Sequence, residues 1–289
     1  MTRLILAAFL TLIAFAANSV LNRMAVAGGH ISVGDFAIWR VAAGAVTLLG
    51  LSVILRGRTF LTIACANPKM RLAGGFCLAT YMLGFSLAYL KLDAGLGTLL
   101  LFGAVQLTMF SGSLLLGEGV SPRRLGGAAV ALAGLVWLLL PEGQITLPLD
   151  AVTAIAVAGL GWGGYSLLGR KARDPIPETA VNFWIAFGLC ALALFLFPLP
   201  EGQTADATGR GLAILSGAVT SGMGYALWYT ILPHLGAARA GLAQLSVPPL
   251  AILGGVLLLE EVLTLHLIAA SLVVIGGVAY GLTGAHKAS

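Results

Sequence analysis

Apolar stretches of about 20 residues recur along the chain, each enough to cross a hydrocarbon core of roughly 30 Å as a helix. Ten are legible: 3–22, 33–55, 70–90, 94–117, 123–140, 150–170, 177–197, 210–232, 237–258 and 263–283. Turn and charge signals separate them, among them Gly28-Gly29-His30, Arg56-Gly57-Arg58, Ser121-Pro122-Arg123-Arg124, Pro141-Glu142-Gly143, Asp174-Pro175 and Pro200-Glu201-Gly202. The pattern predicts an all-α polytopic membrane protein with ten transmembrane helices.

The pattern also repeats. Phe15-Ala16-Ala17-Asn18-Ser19 aligns with Trp162-Gly163-Gly164-Tyr165-Ser166, and Leu114-Leu115-Leu116-Gly117-Glu118 with Leu257-Leu258-Leu259-Glu260-Glu261. The offset stays near 143–147 residues. Five spans per copy is an odd number, so the copies must sit inverted in the bilayer. The expected organisation is a first repeat at 1–143 and a second, inverted repeat at 144–289, around a central cavity. Inverted repeats of this kind mark secondary transporters, with the substrate at the repeat interface.

Charge fixes the expected orientation. Of 16 Lys and Arg, 12 fall on one side when the N-terminus is placed inside, so both termini are expected in the cytoplasm of a bacterial-type inner (plasma) membrane. The net charge of +5 therefore reflects topology and implies no nucleic acid. Only 9% of residues are charged, against roughly 25% in soluble domains, so no separate nucleotide-binding or catalytic domain is expected. Arg3, an apolar run and Ala25-Val26-Ala27 resemble a signal peptide, but cleavage there would remove the partner of the sixth span. Cys65, Cys77 and Cys190 form no disulfide or metal pattern; no cofactor and no metal are expected.

These residues resemble the drug/metabolite transporter superfamily, in its ten-helix EamA-type branch. The resemblance rests on the Trp-Gly-small stretch Trp162-Gly163-Gly164-Tyr165-Ser166, the aromatic–Arg pair Trp39-Arg40, the Leu-rich helix ends before Glu118 and Glu260-Glu261, and the mid-helix Pro248-Pro249. It covers essentially the whole chain. The first copy departs from it, with Phe15 in place of Trp and Val105-Gln106 in place of the prolines. The length and the lack of extra domains are similar to bacterial metabolite exporters, including the YddG-type amino-acid exporters. The resemblance implies efflux of small metabolites.

Polar side chains at membrane depth need a partner or water, so each is a site candidate. Asn18, Gln106, Gln244 and Ser246 are expected to bind the polar groups of a substrate, with Tyr165 as the repeat partner of Asn18. An interhelical hydrogen bond is the plain alternative for Asn18. Arg40 sits two turns into the second span: it either snorkels outward, anchors a carboxylate, or pairs with Asp35, Glu260 or Glu261. Tyr81, Phe85, Phe102, Trp162, Trp184 and Tyr225 are expected to wall the cavity, the alternative being core packing and interfacial belt. Pro248 and Pro249, with Gly161 and Gly163, are candidate hinge or kink positions. Gly159-x-Gly161-x-x-Gly164 matches a dinucleotide fingerprint, but an apolar helix is the wrong context for one. The fifth and tenth spans are almost wholly apolar with paired glycines, which fits a scaffold or the face of a homodimer; monomer and homodimer both remain open.

No Asp or Glu lies at mid-span, and His30, His234, His266 and His286 lie outside it, so no carboxylate proton relay crosses the interior. Gradient-driven or weakly coupled transport is expected, with Glu118 or Glu261 as the surface-side alternatives for a proton. The expected function is export of small metabolites, most of all aromatic and other neutral amino acids, across the inner membrane by alternating access. The chain is not expected to be an enzyme. Rival substrates are lipophilic cationic drugs, which would want an acidic pocket, and polar metabolites such as sugar derivatives.

Overall fold

The computed structural model describes residues 2–117, 121–139, 148–199 and 204–282, and among these every regular element is helical. In chain order they are α1 (Thr2–Val26), α2 (Val33–Arg56), α3 (Thr59–Cys65), α4 (Pro68–Ala88), α5 (Ala94–Leu115), α6 (Pro122–Leu139), α7 (Leu149–Gly169), α8 (Pro175–Leu196), α9 (Ala207–Leu215), a π-helix (Ser216–Met223), α10 (Gly224–Leu235), α11 (Ala237–Gln244), α12 (Val247–Leu259) and α13 (Leu265–Leu282). Each expected span has its helical rod. The eighth is α9, the π-helix and α10 end to end; the ninth is α11 followed by α12. Among the described residues, seven segments are long and apolar enough to cross a membrane by length and composition alone. The protein is an all-α, multi-pass membrane protein, and the short α3 is an element the apolar pattern did not announce.

Local chemistry sets the ends. The Ser32 hydroxyl accepts from the Asp35 amide and caps α2; the Asp206 carboxylate accepts from the Gly209 amide and caps α9. Pro68 and Pro175 open α4 and α8, where a missing N–H costs nothing. Gly236, at φ 74°, turns the chain between α10 and α11.

Two expected interruptions come out differently. Pro248 and Pro249 do not kink a continuous ninth helix. They lie in the first turn of α12, and the break falls just before them, at Leu245-Ser246. A first turn tolerates proline because its amides have no intrahelical partner. At Gly161 and Gly163 there is no interruption either: α7 runs unbroken through both. A Cβ on Gly161 would lie 2.7 Å from the Cys77 carbonyl of α4, and one on Gly163 would lie 2.6 Å from Thr108 of α5. Their missing side chains let α7 pack backbone-close between α4 and α5.

The remaining packing follows the same logic. α4 lies against α7 and α8, α2 against α8 and the π-helix, and α1 against α9, α10 and α12, while α5 meets α7, α11 and α12. α6 and α13 pair with each other at the edge. There, a Cβ on Gly127 would lie 2.6 Å from the Gly277 carbonyl, and one on Gly277 would lie 2.7 Å from the Gly127 carbonyl.

Ion pairs close both ends of the bundle. At the near end, where α1 begins, Arg71 of α4 meets Glu178 of α8 at 2.7 Å, and Arg56 of α2 meets Asp174 at 2.5 Å. At the far end, Arg23 meets Asp93 at 2.7 Å, Lys91 meets Asp150, and His30 meets Asp206.

Candidate functional site

Polar and aromatic side chains from α1, α2, α4, α7, the π-helix, α10 and α11 converge in the middle of the bundle. The aromatic part is a closed box. Trp162 packs on Tyr225 at 4.4 Å between ring centroids, on Phe15 at 5.1 Å and on Tyr81 at 5.1 Å. Phe15 also meets Tyr225 edge-on at 5.7 Å, and Phe183 of α8 lies 5.9 Å from Tyr225. All are buried. Edge-to-face and tilted pairs at these distances add about 0.5–1.5 kcal/mol each beyond area burial.

Arg40 forms one wall. It is fully buried, so it does not snorkel, and it reaches neither Asp35 nor Glu260 nor Glu261. Its Nε donates to the Ser221 hydroxyl at 2.9 Å, and its Nη2 donates to the hydroxyls of Tyr225 at 2.9 Å and Tyr81 at 3.3 Å. Phe85 lies under the guanidinium, 4.7 Å from its ring centroid. The Tyr225 hydroxyl in turn donates to that of Tyr81.

Asn18 joins the same network from α1. Its Oδ1 accepts from the hydroxyls of Ser216 (2.8 Å), Thr220 (2.5 Å) and Ser221 (3.1 Å), all in the π-helix. π-helical turns are rare and concentrate at functional sites; this one turns three hydroxyls toward one amide. Close approach makes that possible, since a Cβ on Gly217 would lie 2.0 Å from the Arg40 carbonyl. From the other side, the Trp162 indole N–H donates to Gln244 Oε1, and Gln244 Nε2 points at Met109 Sδ at 3.3 Å.

The other expected site residues scatter. Tyr165 is buried and stacks on Tyr229 at 4.7 Å, with its hydroxyl facing Thr179 and Asn182. Phe102 is buried in the core on α5. Gln106 is buried with neither amide atom hydrogen-bonded among the described residues, beside a small cavity of about 160 Å³ between α5 and α6, and its Oε1 faces Gly241 of α11. Ser246 is half-buried in the α11–α12 break. Trp184 departs from expectation: 41% exposed, it packs edge-on against Phe187 on the outer surface. The buried face of α8 runs through Thr179, Asn182, Phe183, Ala186 and Cys190, and Trp184 stands off it.

Several members were not expected. Phe15 was legible as the repeat partner of Trp162, and that alignment was the available signal. Phe183 was legible from the helical period of α8. Ser216, Thr220 and Ser221 carried only the general signal of hydroxyls at mid-span, because nothing in Ser-Gly-Ala-Val-Thr-Ser-Gly-Met announces a π-helix. Among the described residues, no three His, Cys, Asp or Glu side chains come together as a metal site. Glu118 lies outside the described residues.

A larger cavity, about 920 Å³, opens at the far end between the tips of α1, α2, α4 and α8, walled by Val26, Ile31, Ile38, Leu87 and Leu194 with Asp35 at its rim. It ends above the cluster on α2: Ile38 lines it, and Arg40 lies two residues deeper.

The sequence matches the EamA-like transporter family over residues 150–282. An uncharacterized protein of Pseudomonas aeruginosa is 43% identical over 282 residues, covering 96% of this chain and 93% of that protein. A protein of Salmonella typhimurium described as a probable amino-acid metabolite efflux pump is 24% identical over 251 residues, covering 78% of this chain and 83% of that one. A solved crystal structure superposes with a TM-score of 0.73 at 20% identity, covering 94% of this chain and 97% of the other, and so shares the fold. With a helical membrane fold and a polar, aromatic cluster at its centre, the chain belongs to the EamA-like transporters of the drug/metabolite transporter superfamily.

Proposed function

We propose that this transporter exports small metabolites, aromatic and other neutral amino acids and their derivatives foremost, by alternating access. The observation that carries the reading is the closed central cluster: Trp162, Tyr81, Tyr225 and Phe15 form an apolar enclosure, with Arg40, Asn18 and Gln244 along its edges. A few polar groups on an otherwise apolar, buried wall is what a small-molecule site requires.

The two halves, 1–143 and 144–289, act as inverted repeats, the near end is cytoplasmic, and the two halves rock about the cluster. Reciprocal packing supports this. α4 lies on α7 as α1 lies on the eighth rod, and the second, fourth and fifth rods each pack on their own counterparts in the other half. The ion pairs join the halves at both ends: Arg71–Glu178 and Arg56–Asp174 at the near end, Lys91–Asp150 and His30–Asp206 at the far end. With both sets formed, the cluster is sealed from either side. The far-end cavity is then the vestibule into which substrate is released. A buried guanidinium at the site weighs against lipophilic cations, which it would repel.

Reconstitution in liposomes preloaded with unlabelled amino acid tests this. Labelled L-phenylalanine or L-leucine should accumulate transiently by counterflow, saturably, and Trp162→Ala should lower its apparent affinity at least tenfold. Absence of counterflow for every amino acid, in protein that remains folded, removes the amino-acid reading.

A further inference from the structure

The cluster holds a cation, and none of its described members is an acid. Arg40 is fully buried, and among the described residues the partners of its guanidinium are neutral hydroxyls and ring faces. The described acids sit at the bundle ends, where Glu178, Asp174, Asp93, Asp150 and Asp206 already have basic partners. A buried charge is stable only when compensated. The missing charge is therefore negative.

The hydrogen-bond inventory points the same way. The two amides bonded into the cluster have occupied oxygens: Asn18 Oδ1 receives three hydroxyls, and Gln244 Oε1 receives the Trp162 indole. Around Arg40 the groups left over are donors. Among the described residues, Arg40 Nη1 and Asn18 Nδ2 are both buried without a hydrogen-bond partner, while the unpaired amide oxygens, those of Asn22, Gln106 and Asn182, belong to side chains outside this network. The two donors belong to side chains joined through a single group, the Ser221 hydroxyl, which accepts from Arg40 Nε and donates to Asn18 Oδ1. Two free donors, one of them charged, on side chains that share one hydroxyl suit the two oxygens of a carboxylate. An ammonium would find no free anionic acceptor there.

We infer, resting on the reading of this cluster as the substrate site, that the preferred substrate is a carboxylate with an apolar or aromatic body and no free ammonium. It is a net anion, such as the deaminated or N-acylated counterpart of an amino acid. Arg40 and Asn18 hold its carboxylate, and Trp162, Tyr81 and Tyr225 enclose its body.

Four ligands with one skeleton test this on the full-length protein in lipid nanodiscs: 3-phenylpropanoate, its neutral amide 3-phenylpropanamide, L-phenylalanine and phenethylamine, each titrated by calorimetry. The acid should bind at least tenfold tighter than the amide and tighter than the amino acid, with the amine weakest. Arg40→Gln should erase the difference between acid and amide. If that variant fails to fold, the comparison of acid with amide in the unaltered protein decides alone. Equal binding of acid and amide, or tighter binding of L-phenylalanine than of the acid, overturns the inference. Amino-acid counterflow in liposomes would then leave the broader export reading standing. Binding of none of the four, together with no counterflow, removes both.

Discussion

Replacing Glu178 by Gln should open the near end of the bundle without unfolding it. Arg71 and Glu178 approach to 2.7 Å with side chains only 7% and 4% exposed, so the charged pair is almost wholly out of water. Glu178 Oε1 also accepts from the amides of Arg173 (2.9 Å) and Asp174 (3.2 Å), tying the α7–α8 turn to the same carboxylate. Removing one partner of a buried pair costs about 3–5 kcal/mol, because the other charge stays buried and unpaired. Gln keeps an oxygen for the two amides, although its amide nitrogen then faces Arg71, so we take the lower end, about 3 kcal/mol, or roughly a hundredfold in the balance between closed and open. Arg71 regains water only when the near end opens, so that is where the loss should appear. Hydrogen exchange by mass spectrometry reads it: peptides covering the first turns of α4 and α8 and the turn between α7 and α8 should exchange on the order of a hundredfold faster. The helices around Trp162 and Tyr225 should be unchanged. The exchanged pair Arg71→Glu with Glu178→Arg should recover part of the protection. Faster exchange spread evenly over all helices would refute the argument, since the pair would then be a general staple. Unchanged exchange at the near end would refute it too.

Other outcomes follow from the same geometry. Gly217→Ala places a methyl 2.0 Å from the Arg40 carbonyl and should abolish folding or lower the melting temperature sharply, whereas Gly50→Ala, with nothing within 4 Å, should stabilise by up to about 1 kcal/mol in thermal melts. Trp162→Ala should cost about 3–5 kcal/mol of stability in a denaturant titration, because it empties the centre of four ring contacts; a loss under 1 kcal/mol would mean the box collapses to fill the space. At the far end, burial above all pushes the Glu261 carboxyl up from the ordinary carboxylate range, with the Ala94 amide and Arg23 opposing and Asp93 adding to the rise. A raised folded value means that its contribution favours the closed form below the ordinary carboxylate range and is lost as pH rises through the raised value. Exchange at the start of α5 should therefore quicken over that window, and Glu261→Gln should flatten the profile. Asp206 has the opposite sign: the Gly209 amide and then His30 hold its carboxyl low, so its contribution is present above the ordinary value and lost as pH falls through the depressed one. Asp206→Asn should remove the acid-side loss of protection at the start of α9.

The ten rods were legible because a span needs only length and apolarity, which a sequence states directly. What sat where along a rod was harder. Period alone separates Phe183 from Trp184, adjacent residues on different faces of α8, yet aromatic character groups them. The double proline announced a disturbance in the ninth rod, but its position followed helix-end chemistry, which admits proline in a first turn, so the break moved ahead to Leu245-Ser246. Arg40 was legible as a deep cation. Its partners were not: pairing depends on which helices meet, and the tyrosines of α4 and α10 reach it where no acid does. The π-helix left no trace because its residues are ordinary small helix-packing types.

The pairing of α6 with α13 has a consequence for how the chain is made. Gly127 and Gly277 interlock, yet 150 residues of synthesis separate them. At about 5–20 residues per second on the ribosome, α6 enters the bilayer roughly 8–30 s before α13 exists. Through that interval its glycine face meets lipid or whatever helix is at hand, and close-packing faces of small residues accept many partners. Correct assembly therefore depends on the last span displacing provisional neighbours of the fifth. A ribosome that stalls before Leu265 leaves a chain whose central cluster is already complete in sequence but whose edge is still open to the membrane.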